Sequence, residues 1–158
     1  MFALSVGLTA CSSPPSDRRM QEAFQQDRQS LDELRAMLHE DSAIRAIRND
    51  WLGTMNGVTV QADEQGATID SQRWNEYRAK FRRLGLQGGI TRATQGPCEF
   101  YAFRYGSGFV FSSVTKGYAF CTSVPSPLVE DLDRDDVRAK TMTFRALRES
   151  WYLFYEFD

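Results

Sequence analysis

Two stretches of the chain repeat their apolar residues at helical spacing, and most of the other apolar residues fall in short extended runs. Met20, Phe24, Leu31, Leu34 and Leu38 recur at near-helical steps with polar residues between them. Asp17 stands in front of this stripe. Its carboxylate can accept from first-turn amides that have no partner inside a helix, so a helix is expected from there to about His39. Asp27 and Arg28 interrupt the stripe, which places firmer packing in the C-terminal half. The second stripe is cleaner: Trp74, Tyr77, Phe81 and Leu84 follow one another at steps of three, four and three. Asp70 or Ser71 starts this helix. Gly85 suits the left-handed residue that ends it, with Leu86 packing back.

Elsewhere the period is extended. Residues 42–57 fit a helical turn or a strand, punctuated by Gly53 and Asn56-Gly57. Residues 58–60 read as a strand, followed by a turn at 63–66 and a short return at 67–69. Residues 99–105, 109–114 and 118–122 read as three strands, joined by tight turns at Gly106-Ser107 and Thr115-Lys116-Gly117. Residues 151–157 read as a last strand in the same sheet. Ser126-Pro127 suits the N-cap and first position of a short helix through Leu132. Large residues stand on both faces of two strands, with Tyr101 and Phe103 opposing Phe100, and Trp151, Leu153 and Tyr155 opposing Tyr152 and Phe154. A sheet with one wet face alternates apolar with polar instead, so helices must cover one face. The other face is curved onto itself or used for binding. The expected class is α+β, with two main helices packed on a mainly antiparallel sheet of about four to six strands.

The start of the chain follows a different logic. Phe2, Ala3, Leu4, Val6 and Leu8 form an apolar run too short to span a bilayer and of the kind found in secretory leaders, although no cationic segment precedes it. It ends in Leu8-Thr9-Ala10-Cys11, and Ser12-Ser13-Pro14-Pro15-Ser16 follows. The tetrapeptide resembles the lipobox of bacterial lipoproteins, which are cut before a cysteine that then carries lipid. The resemblance implies a signal peptide at 1–10, a lipidated Cys11 with a flexible tether at 11–18, and one globular domain at 19–158. A Ser/Pro tether has nothing to bury, and at about 3 Å per residue it reaches roughly 20 Å from a membrane surface. In Gram-negative lipoproteins, serine after the lipidated cysteine resembles the outer-membrane sorting pattern. The implied site is therefore the periplasmic side of the cell envelope, outer membrane before inner.

Composition narrows the function. The chain has 158 residues, a one-domain length, and 13% of them are aromatic, which favours a sheet-rich core. The net charge is −2 and no basic stripe is present, so nucleic acid is not an expected partner. Arg78, Lys80, Arg82 and Arg83 form a solvated helix face. Asp131-x-Asp133-x-Asp135 begins like a calcium loop, but Asp136 stands where that loop needs glycine and Met142 where it needs a bidentate glutamate. No metal site or cofactor is therefore expected. His39 is the only histidine, so no nucleophile–histidine arrangement is credible. Paired carboxylates need no histidine, and Glu99 with Glu156 would be the candidates for a hydrolase. Cys98 and Cys121 remain once Cys11 is lipidated, and an oxidising compartment suggests a disulfide. An up-down-up meander resists that pairing. It sets the two at opposite ends of strands about 25 Å long, while a bridge needs Cα atoms within about 7 Å.

Trp74…Phe81-x-x-Leu84-Gly85-Leu86, Lys116-Gly117-Tyr118 and Trp151-Tyr152-Leu153-Phe154-Tyr155 resemble the C-terminal domains of small bacterial lipoproteins. That resemblance brings no activity and no site residues. The function expected from the sequence is a lipid-anchored envelope protein with a binding or structural role. Its partners are the membrane, through Cys11, and a protein of the envelope. A carboxylate hydrolase and an inhibitor or immunity protein for an envelope enzyme are the alternatives.

Overall fold

The computed structural model describes residues 13–62, 68–109, 112–138 and 142–158. Helix α1 (Asp17–Glu40) and helix α2 (Ser71–Leu84) lie where the two stripes put them. At α1 the cap is one residue earlier than expected. The Ser16 hydroxyl accepts from the Arg19 amide, which frees Asp17 to turn inward as the first helical residue. Asp17 and Arg18, expected to lie before the folded domain, are thus the first two residues of α1. At α2, Asp70 caps the start, and Gly85 closes the end with φ 63°. All four stripe residues of α2 are buried, and so are Met20, Phe24, Leu31, Leu34 and Leu38 of α1. Each such side chain removed from water stabilises the fold by about 1.5–3 kcal/mol before entropy is counted.

The sheet is larger than expected. Among the described residues it has eight strands rather than four to six: β1 (Ile44–Ile47), β2 (Trp51–Thr54), β3 (Thr59–Gln61), β4 (Gly89–Arg92), β5 (Cys98–Phe109), β6 (Ser112–Cys121), β7 (Met142–Ala146) and β8 (Trp151–Phe157). Their order is β3-β2-β1-β4-β5-β6-β8-β7, and every neighbouring pair is antiparallel. Residues 42–57 resolve into β1 and β2. Thr68 and Ile69 form no strand, and the turn placed at 63–66 lies outside the described residues.

The main correction concerns the centre of the sheet. Three strands were expected between residues 99 and 122, and two long ones are present. Gly106 pairs with Thr115 and the ladder continues to Phe109 opposite Ser112, so both expected turns lie inside strands. The glycines serve other ends. Gly117 stands where an added Cβ would lie 2.1 Å from the Ala102 carbonyl oxygen and 2.8 Å from the Phe154 ring. Gly106 borders a bulge between Phe103 and Tyr105. The expected helix after Pro127 is also absent. Ser126-Pro127 is a cis peptide, and Leu128 bridges to Phe144 in β7 instead. Only a short helix α3 (Asp135–Arg138) follows.

Both helices cover one face of the sheet. Ile47, Leu52, Ile90, Phe100, Tyr118 and Leu153 point toward them and form the main core. The opposite face carries a second, smaller core of Ala119, Phe144, Tyr152 and Phe154 beside the Cys98–Cys121 bridge. Tyr101 and Phe103 set their ring edges on Phe154 at 5.3 and 5.6 Å. On this face Tyr101, Phe103, Tyr152 and Phe154 pack in one cluster, each buried or half-buried.

Candidate functional site

A groove of about 560 Å³ opens between the second half of α1 and the adjoining ends of β4 and β5. Asp32, Arg35 and His39 enter it from α1, at helical steps of three and four that share one flank. Arg92, at the end of β4, and Glu99 and Phe100, near the start of β5, form the facing wall. The side chains hold one another in place. The Arg92 guanidinium donates to the Leu38 carbonyl, satisfying one of the last α1 carbonyls that the helix leaves open. Arg35 pairs with Glu99 at 3.3 Å and lies 3.8 Å above the Phe120 ring. Asp32 accepts from the Trp151 indole at 3.1 Å and lies 3.6 Å from Arg28.

The Cys98–Cys121 bridge staples this wall. The two cysteines are register partners with Cα atoms 3.6 Å apart, flanked by Glu99 on one strand and Phe120 on the other. The distance objection raised from the sequence rested on a middle strand. With two strands in one antiparallel pair, the first residue of β5 meets the last of β6.

The expected hydrolytic pair is not assembled. Glu99 belongs to the groove, whereas Glu156 lies near the far end of β8 and accepts from Thr115 at 3.2 Å. Glu156 lies five residue steps along β8 from Trp151, which stands opposite Phe120 beside the groove, a span of roughly 17 Å. Asp32 and Glu99 do share the groove, but each faces a guanidinium, and a general acid needs an apolar, unpaired setting. His39 is exposed in the last turn of α1 and lines the same groove. The groove thus presents fixed charges of both signs and one aromatic wall.

A second polar cluster is buried at the other end of α1. Lys116 on β6 has a side chain only 1% exposed, and its ammonium lies 2.7 Å from Asp17 Oδ1 and 2.7 Å from Asp133 Oδ1. Asp17 Oδ2 accepts from Arg145 Nη1 at 2.9 Å and from the Leu132 amide at 2.8 Å. Asp131 belongs to the same cluster: one carboxylate oxygen each of Asp17, Asp131 and Asp133 lies within 4.8 Å of the others. The Lys116 ammonium lies against two of these three carboxylates, Asp17 and Asp133. Sequence reading missed Lys116 because Gly117 beside it resembled a turn residue. The available signal was the alternation of Lys116, Tyr118 and Phe120 on one face of an extended run.

Burial pushes the Tyr118 phenol above its ordinary range. Its hydroxyl donates to the Met20 carbonyl at 2.9 Å, which ties β6 to α1 between the two polar sites. Cys11 lies outside the described residues, and among those residues no helix is long and apolar enough to cross a membrane. Comparisons of the chain with protein-family models, with curated proteins and with solved structures each find no match.

Proposed function

We propose that this is a cell-envelope protein, anchored by lipid on Cys11 and facing the periplasm, which binds a protein partner in the groove between α1 and the β4–β5 edge. The outer membrane is the preferred site, from Ser12 after the anchor cysteine. The observation that carries the reading is the disulfide beside the groove. A bridge between register partners suits an oxidising compartment, and it stiffens the wall that holds Glu99 and Phe120. Fixed charges of both signs around an aromatic floor suit recognition of a polar protein surface.

The test is crosslinking in intact envelopes with the full chain. Arg35→Glu reverses the charge at the groove centre, and Phe157→Ser alters an exposed residue at the far end of β8. The proposal expects a partner crosslinked to wild type and to Phe157→Ser, and lost with Arg35→Glu. Equal capture by all three proteins would remove the groove from the account.

A further inference from the structure

The buried cluster at the start of α1 brings together the parts needed for an amide bond between two side chains. A primary amine and a carboxylate are in contact: Lys116 Nζ lies 2.7 Å from Asp17 Oδ1, and the two side chains are 1% and 3% exposed. Apart from this ion pair, Asp17 Oδ1 takes no hydrogen bond. The other carboxylate oxygen, Oδ2, takes two donors, Arg145 Nη1 and the Leu132 amide. Donors fixed on one oxygen stabilise the negative charge that gathers there when a nucleophile attacks the carbon. A second carboxylate, Asp133, accepts from the same Nζ at 2.7 Å, where it can take up and return a proton. It is held there by the Asp17 amide, which donates to its Oδ2 at 2.8 Å.

We propose that Lys116 and Asp17 condense to an intramolecular isopeptide bond, with Asp133 as the proton shuttle. Lys116 passes one proton to Asp133, and the neutral Nζ attacks Asp17 Cγ while Oδ2 rests on Arg145 and Leu132. The Nζ–Cγ bond forms and the Cγ–Oδ1 bond breaks. Oδ1 leaves as water with two of the three ammonium hydrogens, one of them delivered through Asp133. An ammonium and a carboxylate become one amide and one water, so charge and atoms balance and no oxidant or activating group is required. Condensation is unfavourable between free partners in water. Here the partners are already in contact in a dry site, where effective concentrations of about 10⁵ M or more are available to well-oriented groups. The product would join the first residue of α1, directly after the tether, to the middle of the sheet.

Mass spectrometry of the purified full chain, reduced and digested with trypsin, tests this. The expected result is a branched peptide joining Asp17 to Lys116, one water lighter than its two parts and uncut after Lys116. Lys116→Arg keeps the charge and loses the branch. Asp133→Asn keeps the hydrogen-bonding shape, and at early times after synthesis its linked fraction should fall at least tenfold. Recovery of Asp17 and Lys116 only in separate peptides of unaltered mass overturns the proposal, as does a water loss that maps to a cyclised aspartate. A branch at Asp133 in place of Asp17 overturns the assignment of roles.

Discussion

Gly117 shows how a single position carries two constraints at once. Its missing side chain lets the Ala102 carbonyl approach from β5 and leaves room for the Phe154 ring on the outer face. Gly117→Ala forces both to shift. We expect a loss of about 1–3 kcal/mol in denaturant unfolding, the usual cost of overfilling a packed site; an unchanged midpoint would show that the strands give way freely. Lys116, next to it, is buried on the helix-facing side, on the same face as Tyr118. Sequence reading took both residues as a turn, because glycine after a polar pair is a common turn signal. The role of Gly117 depends on a neighbouring strand and on a ring far along the chain. Neither is visible in the local pattern.

At the scale of elements, ion pairs set how α1 sits against its neighbours, and they have a pH dependence. Glu33 of α1 pairs with Lys80 of α2, and Arg28 pairs with Glu149 in the turn before β8. The Lys80 hydrogen bond holds Glu33 below its ordinary 4.5, and the Arg28 hydrogen bond does the same for Glu149. A carboxylate with a lowered folded value adds stability that is complete above the ordinary value and lost as pH falls through the lowered one. Wild type should therefore lose more thermal stability between about pH 5 and pH 3 than a Glu33→Gln/Glu149→Gln variant; parallel curves would contradict the assignment. The disulfide acts on β5 and β6 in the same way at any pH. It closes a loop of sequence separation 23, so reduction should cost about 3 kcal/mol in denaturant unfolding. These elements were unequally legible in the sequence. Helix α2 was read correctly because its cap, stripe and closing glycine all point to one helix. Strands β5 and β6 were cut into three because their interior glycines imitate turns. Strand β7 was not read at all: Met142–Ala146 is short, and its pairing with β8 is antiparallel across a turn that no local signal marks.

For the whole molecule, the antiparallel sheet has one face under two helices and carries a smaller aromatic cluster on the other, and the polar features described collect at the two ends of α1. One end carries the groove and the disulfide. The other carries the Lys116 cluster, whose Asp17 directly follows the Ser16 cap. The α+β class and the covered face were legible from the two stripes and from the large residues on both strand faces. The groove was not, because it forms only where α1 crosses strand ends distant in sequence. An anchored N-terminus is the central proposal, and the most direct measurement is mass spectrometry of the N-terminal peptide from the membrane fraction of producing cells. The prediction is a chain that begins at Cys11 and carries acyl groups on it. A peptide that runs unbroken through Ala10 and Cys11 with a free thiol would contradict it.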